Sequence, residues 1–439
     1  MNIAEITPEQ RATEEIAYAR DQSALAHIEN LRFFPLVVSG GSGARLHTAS
    51  GRELIDLSAS WTASAFGHGN PTIAEAIHHA SLTGAGSSAL SSAVTGTTDL
   101  AERLVSLVPV KHPERTYLGL SGSDANTASV EACRRATGRP TIVSFSGSYH
   151  GGFGTSRDVS GITESPGPGS LVFDYPLTEA ALSELRPQLA EALESGTVAA
   201  VITEAIQCDG GVRVPAAGFL PMLRELCDAT DTLLILDEVK AGLGRTGSLF
   251  AFEASSVRPD IVTLGKSLGG GLPISAAVGP EAVLDVAPAS ALLTNAGAPI
   301  CAAAAETVLG LATDSGLAEA VAALGSRARQ RIADYRGSDR AGATAVAEVR
   351  GNGLLLGVEL RTPDESLLTD AQLAALTIYR AWELGVVVYV VRDNVLEISP
   401  PLPITTGDLD RGIEIILGAL DDAVSGRVPA EVLDRFAGW

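Results

Sequence analysis

Lysine is almost missing from this chain. There are three, Lys111, Lys240 and Lys266, against 28 arginines. With no polybasic tract and a formal net charge of −21, nucleic acid and anionic membrane are not expected as partners, since both require a basic surface. Cysteine is just as sparse. Cys133, Cys208, Cys227 and Cys301 stand far apart without CxxC or Cys/His spacing, so neither a disulfide framework nor a metal site is expected, and all four read as reduced core thiols. No apolar run approaches the ~20 residues of a membrane span. The polar, acid-bearing stretch Met1 to Arg20 has the character of neither a signal nor a transit peptide, and a cytoplasmic chain is expected. Aromatic residues make up only 5%, which leaves the core to Ala, Val, Leu and Ile. Repeats of roughly 20–50 residues are absent as well.

The 439 residues suit a main domain and a smaller one, at roughly 150 residues per domain. In the middle of the chain, short apolar, β-branched runs alternate with helical segments. Strands are expected at Thr116–Leu120, Thr141–Phe145, Ala199–Thr203, Thr232–Leu236, Ile261–Leu264 and Ile274–Val278, and helices at Asp124–Thr137 and Gly218–Ala229. Buried strands separated by helices indicate an α/β fold with a mostly parallel sheet. The tail differs: strands within Thr344–Leu360 and Gly385–Ile398, with helices at Asp370–Leu384 and Thr406–Val424. Phe33 to Leu57 is expected to form strands on this C-terminal part, and Ala302 to Tyr335 one long helical link. Gly161 to Gly169, with its alternating Pro and Gly, is the one loose stretch. The expected division is 1–58 (N-terminal segment of the small domain), 59–310 (large domain) and 311–439 (small domain).

Ligands of parallel sheets gather at the carboxyl ends of strands, and the informative polar residues fall there. Lys266 lies in Asp260-Ile-Val-Thr-Leu-Gly-Lys-Ser-Leu-Gly-Gly-Gly-Leu-Pro273, after an apolar run and before a glycine turn. Where arginine serves for almost every simple positive charge, a retained lysine is the candidate for a task that only a primary amine performs, such as attack on a carbonyl. Gly265-Lys-Ser267 mimics the end of a nucleotide-binding loop, but position 260, where that loop needs glycine, is Asp. Leu233-Leu-Ile-Leu-Asp237 is a buried strand ending in a carboxylate, which can keep a ring nitrogen protonated in a site of low dielectric; capping the next turn is its ordinary alternative. A lysine and an aspartate on neighbouring strand ends are what pyridoxal 5′-phosphate requires: the amine forms the imine, and the carboxylate keeps the ring electron-poor. Ser121-Gly-Ser-Asp-Ala-Asn126 opens a helix after a strand. Gly122 and Ser123 there offer backbone amides to a phosphate, although Ser and Asp also serve as plain N-caps. Tyr149-His-Gly-Gly152 supplies a ring able to cover a flat cofactor, or simply to pack.

With Ser121-Gly-Ser-Asp-Ala-Asn126, Tyr149-His-Gly151, Asp237-Glu-Val239, Gly244-Arg-Thr-Gly247 and Lys266 in this order, the chain resembles the class III aminotransferase family of pyridoxal phosphate enzymes from about Pro35 to Thr406. The resemblance implies fold type I, with a seven-stranded large-domain sheet and a small α+β domain, and a homodimer with shared active sites. It implies Val239 as a cofactor contact and Thr294 as a phosphate ligand given by the partner subunit. Ala298 stands where the family often has Asn. Three further departures bear on the reaction. Lys240 replaces the usual Gln after Asp-Glu-Val, and would sit near the cofactor's phenolic oxygen or pair with a carboxylate. Cys208-Asp-Gly-Gly211 replaces Gly-Glu-Gly-Gly. Leu396-Glu-Ile-Ser-Pro-Pro401 puts Glu397 near the place of a carboxylate-binding Arg. These, with Asn30-Leu-Arg-Phe-Phe-Pro-Leu36, Trp61 and Phe436-Ala-Gly-Trp439, are similar to the α-amino-ε-caprolactam racemase group and its amino-acid epimerases.

The fold alone does not choose among reactions that begin from the same bound substrate. A racemase needs a second acid/base across the ring from Lys266. Asp209 is the candidate, with Tyr149 and Lys240 as the other groups able to deliver a proton and a turn residue as the plain alternative for Asp209. The expected activity is racemisation at Cα of an α-amino lactam, amino amide or neutral amino acid, with Trp61 and Glu397 on the substrate side. A class III aminotransferase using a neutral or basic donor is the second reading. A non-catalytic regulator is the third, though no basic helix-turn-helix segment accompanies it.

Overall fold

A computed structural model describes residues 3–84, 87–163, 165–364 and 366–436. Ala437 to Trp439 and Glu164, in the Gly161–Gly169 stretch, lie outside them. In chain order, the first segment forms α1 (Pro8–Ala24), β1 (Val38–Ser42), β2 (Arg45–Thr48) and β3 (Glu53–Asp56). The middle carries α2 (Pro71–Thr83), α3 (Thr95–Leu107), β4 (Arg115–Gly119), α4 (Gly122–Thr137), β5 (Thr141–Phe145), α5 (Gly154–Asp158), β6 (Ser170–Phe173) and α6 (Glu179–Glu194). It continues through β7 (Val198–Thr203), α7 (Phe219–Ala229), β8 (Leu233–Asp237), β9 (Ile261–Leu264), β10 (Ser275–Gly279), α8 (Glu281–Leu284) and α9 (Pro299–Ala312). The last part holds α10 (Leu317–Arg336), β11 (Val346–Asn352), β12 (Leu355–Leu360), α11 (Asp370–Leu384), β13 (Val386–Val387), β14 (Tyr389–Val391), β15 (Val395–Ile398) and α12 (Thr406–Val424).

These elements form two units, Pro71–Ala318 and the combination of Met1–Asn70 with Glu319–Trp439. The first boundary falls after Asn70 rather than after residue 58, because the intervening loop is bonded into the terminal unit: Gly43 bridges His68, and Leu402 N donates to Ala65 O. The second falls after Ala318 rather than 310. The expected helical link from Ala302 to Tyr335 is in fact two helices, α9 and α10, broken at Thr313–Gly316. Asp314 caps that break by accepting from Gly316 N at 2.9 Å.

In the Pro71–Ala318 unit, seven strands run in the order β4-β10-β9-β8-β7-β5-β6. Pairing is parallel throughout β6, β5, β7, β8 and β9, and β10 runs antiparallel to both β9 and β4. β7, Val-Ala-Ala-Val-Ile-Thr, is buried at every position, as a strand covered on both faces must be. The core here is aliphatic, including Val130, Ile142, Ile202, Ile235 and Ile261, each contributing about 1.5–3 kcal/mol by leaving water. Cys133 belongs to the same cluster, and all four cysteines are buried, with no disulfide among the described residues. Edge strand β6 is not expected from the sequence; it is short, follows the Pro- and Gly-rich stretch, and its residues are partly exposed.

The other unit has two four-stranded sheets, β1-β2-β3-β13 and β11-β12-β15-β14. The parallel pairing of Val386 with Ile55 joins the N-terminal segment to the C-terminal part, as expected. Helix α11 has legible ends: a Thr369/Gln372 capping box and Gly385 in the left-handed region at φ 104°. Helix α1, unforeseen in the polar N-terminus, buries Glu14, which accepts hydrogen bonds from Thr48 Oγ1 at 2.8 Å and Ser50 Oγ at 2.6 Å. Among the described residues, no single helix is long and apolar enough to cross a membrane.

Candidate active site

Because β4, β5, β7, β8 and β9 point the same way, their carboxyl ends lie along one edge of the sheet. From that edge come Ser121, Tyr149, Glu204, Asp237 and Lys266. Helix α4 starts there with Ser121 as N-cap and a capping box to Asp124. That box occupies the amides of Leu120, Ser121 and Asp124, leaving those of Gly122 and Ser123 in a first turn that has no intrahelical acceptor for them. Glycine is required at 122, since a Cβ would come within 2.6 Å of Val239 Cγ1. Val239 thereby packs on the start of α4, while its own amide donates to Asp237 Oδ1 at 3.0 Å.

Asp237 is buried and held from behind. Its Oδ2 accepts from Asn126 Nδ2 at 2.7 Å and lies 2.8 Å from His150 Nδ1. Asn126 is fixed in turn by Thr263 Oγ1 at 2.7 Å and by donating to His150 O at 2.7 Å. Asn126, His150 and Thr263, from three separate segments, thus set one carboxylate. His150 and Asn126 are missed when read only as parts of longer motifs; their burial within an otherwise apolar core is the signal that finds them.

Lys266 follows β9 at φ 42°, a left-handed conformation that a residue with a side chain adopts at a cost. It is half-buried. Lys111 pairs with Asp228, and Lys240 with Asp209; Lys266 has no ion-pair partner among the described residues. Asp209 and Lys240, singled out separately in the sequence, form one buried ion pair, with Lys240 Nζ donating to Asp209 Oδ1 at 2.8 Å. Of the two positions open to Lys240, the structure displays the carboxylate pairing. Burial pushes the Asp209 carboxyl up, but the charges of Lys240 and Lys266 and the Lys240 hydrogen bond outweigh it and hold the group below its ordinary value. The turn after Asp209 sits against the loop that carries Tyr149: a Cβ on Gly210 would come within 2.4 Å of Gly147 O.

Tyr149 is half-buried, and burial together with the Asp209 charge raises its phenol against the opposing pull of Lys240. Glu204 ties the two loops together. Its Oε2 accepts from Tyr149 N and its Oε1 from Cys208 N, both at 3.2 Å. Burial, then Asp237 and Asp209, push its carboxyl well above the usual range. Thr294 lies exposed on the turn before α9. Trp61 and Glu397 belong to the other unit. Glu397 is buried, with Oε1 accepting from Ser399 Oγ at 2.8 Å, so it is not a solvent-facing carboxylate.

A test of the ion pair follows from its electrostatics. Lys240→Gln leaves burial unopposed by its nearest cation, so the Asp209 carboxyl should rise. The acidic limb of kcat/KM against pH should then move to higher pH relative to wild type. An unmoved limb would mean that Asp209 is not the titrating group. The same sign governs stability: the pair stabilises the fold near neutral pH, and that contribution is lost as pH falls through the depressed value.

The family model for aminotransferase class-III matches residues 27–420. The chain belongs to this family. The leucine/methionine racemase of Thermococcus litoralis is 31% identical over 427 residues, covering 93% of this chain and 95% of that protein. The acetylornithine aminotransferase of Mycobacterium bovis is 34% identical over 397 residues, covering 89% and 93%. The ornithine aminotransferase of Toxoplasma gondii, solved with partial occupancy of pyridoxal phosphate at its active site, superposes with a TM-score of 0.81 at 27% identity, over 94% of this chain and 96% of that one. The class III fold, fold type I of pyridoxal phosphate enzymes, thus stands, and racemases and aminotransferases both occur among the relatives.

The residues present fit the cofactor that this family implies. The start of α4 provides amides for a phosphate, Asp237 an acceptor for a ring nitrogen, and Lys266 a primary amine outside any ion pair among the described residues.

Proposed function

We propose that this protein is a pyridoxal phosphate racemase or epimerase that inverts Cα of a neutral amino acid, amino amide or amino lactam. The observation that carries the reading is the buried Asp209–Lys240 pair, at 2.8 Å, within the field of Lys266. Bound pyridoxal phosphate supplies an electron-poor ring that accepts the electron pair left when Cα loses its proton. Lys266 holds the cofactor, and Gly122, Ser123 and the partner subunit's Thr294 hold its phosphate in a homodimer. The Asp237 carboxylate keeps the ring nitrogen protonated, Tyr149 covers the ring, and Val239 supports it.

Racemisation requires one group to take the Cα proton and another to return a proton on the opposite side. In one direction the Asp209 carboxylate takes it and the Lys266 ammonium returns one. In the other, the Lys266 amine takes it and a proton comes back from Asp209, resupplied by Lys240. The pairing serves this role in two ways: it keeps Asp209 ionised at neutral pH and places a proton donor 2.8 Å from its oxygen. The resemblance puts Glu397 where relatives often carry a carboxylate-binding Arg, and a carboxylate there would disfavour glutamate, aspartate and 2-oxoglutarate by repulsion and unmatched desolvation.

The 34% identity to an acetylornithine aminotransferase favours a second reading, amino transfer from a neutral or basic donor. One assay separates the two. A single enantiomer of a neutral substrate in deuterated water, with and without a keto acid, should lose optical purity and gain deuterium at Cα independently of the keto acid. Asp209→Asn should suppress that inversion by ~10²–10⁴-fold while leaving substrate binding intact. Efficient glutamate-dependent transamination without inversion of any neutral substrate would sink the racemase reading.

A further inference from the structure

Glu204, the residue after β7, is as deeply buried as Asp237, yet it neither takes nor returns a proton in the reaction above. A buried carboxyl is costly unless its oxygens are satisfied. Here each oxygen takes one backbone amide, and the two amides belong to different loops. Oε2 accepts from Tyr149 N and Oε1 from Cys208 N, both at 3.2 Å. Tyr149 is the cover of the ring in the proposed function, and Cys208 immediately precedes Asp209. Glu204 is itself held from behind: Tyr175 Oη donates to Glu204 O at 3.1 Å and lies 3.3 Å from Ala205 O.

The two loops meet at two further points. Gln207 Nε2 donates to Ser146 O at 3.0 Å, and Gly210 lies so close to Gly147 that a Cβ on it would come within 2.4 Å of Gly147 O. Asp209 sits in a closed turn. Gln207 and Arg213 exchange both backbone hydrogen bonds, at 3.0 and 2.8 Å, and Cys208 O accepts from Gly211 N and Val212 N at 3.1 and 2.9 Å. Such a turn keeps its shape but can tilt as a body. Its attachment to the Tyr149 loop opposes that tilt, and Glu204 makes the attachment with one planar group. Burial, then Asp237 and Asp209, push the Glu204 carboxyl toward its uncharged form against the pull of the two amides. Uncharged, it holds the turn without repelling either carboxylate.

We propose that Glu204 is a positioning residue for Asp209. By fixing the spacing of the Tyr149 loop and the Asp209 turn, it keeps the second acid/base in reach of Cα, so that proton transfer on that side depends on it and proton transfer at Lys266 does not. This role rests on the racemase reading, in which Asp209 and Lys266 each exchange a proton with Cα; the brace between the loops does not.

Glu204→Gln keeps the shape of the side chain but can accept only one of the two amides. With pyridoxal phosphate bound, each enantiomer of leucine is incubated in deuterated water, and deuterium uptake at Cα is compared with inversion. For the enantiomer whose proton Lys266 takes, uptake with retained configuration should persist. Inversion should fall about tenfold to a hundredfold, the scale of an acid/base displaced by up to about 1 Å. For the other enantiomer, uptake and inversion should fall together. A plain loss of folded protein lowers every rate alike and leaves the uptake-to-inversion ratio where it was. Backbone amide exchange, read by mass spectrometry, should quicken in at least one of the peptides spanning residues 146–152 and 205–213. Gly210→Ala disturbs the same two loops at a different contact and should raise the same ratio; it carries the test if Glu204→Gln is insoluble. Unchanged amide exchange in Glu204→Gln would overturn the brace. Faster amide exchange with an unchanged ratio would overturn its role in proton transfer. If amide exchange responds but the wild type inverts no neutral amino acid, the brace stands and the racemase reading is what has failed.

Discussion

Lys266→Ala is expected to abolish turnover and the covalent hold on pyridoxal phosphate together. Borohydride reduction of the wild type followed by peptide mapping should place the pyridoxyl group on Lys266, and the variant should lose the visible band of the bound cofactor. The fall in rate should be at least roughly 10⁴-fold, about 5.5 kcal/mol of barrier at ~1.4 kcal/mol per factor of ten. The structure gives three reasons to single out this lysine. It follows β9 beside the strand that ends in Asp237, its left-handed backbone is held at φ 42°, and it alone of the three lysines has no ion-pair partner among the described residues. Labelling of Lys240 instead would overturn the assignment, and would require its buried pair with Asp209 to open.

Asp237→Ala should leave the fold standing and cost several orders of magnitude in Cα proton abstraction, at ~1.4 kcal/mol of lost carbanion stabilisation per factor of ten. The carboxylate is placed by Asn126 Nδ2, His150 Nδ1 and Val239 N, and in the proposed reading it faces the ring nitrogen of the bound cofactor. Cofactor content, measured spectrally, should fall less than the rate of deuterium exchange at Cα. Near-normal exchange would show that Asp237 is only a cap for the turn after β8. Loss of soluble protein would point to the buried His150 and Asn126, which the variant leaves short of an acceptor.

How much of this is legible without the structure depends on how local each signal is. The strands bearing the site are, because apolar runs rich in β-branched residues, such as Ala199–Thr203 and Ile261–Leu264, carry their own strand preference and need no distant partner to be recognised. Lys266 and Asp237 are legible for the same reason: each is read from its own neighbours, an apolar strand before it and a turn after. So are the capped helix starts at Ser121 and Thr405, where side chain and amide lie within three residues. The break of the Ala302–Tyr335 link at Thr313–Gly316 escapes the sequence because a helical composition continues on both sides, and a cap at Asp314 becomes visible only once the chain turns there. Pairings across the sheet are beyond reach. Asp209 meets Lys240 only because β7 and β8 are neighbours in parallel register, and His150 reaches Asp237 across 87 residues of chain. The left-handed run at Ala59–Thr62 is equally invisible, since Ala, Ser, Trp and Thr have no local preference for it. Sequence alone thus determined which residues could do chemistry, because that depends on side-chain type and the nearest few positions. Tertiary structure alone decided which of them act on one another and in what charge state, because burial and the facing charge come from strands whose adjacency no local pattern encodes.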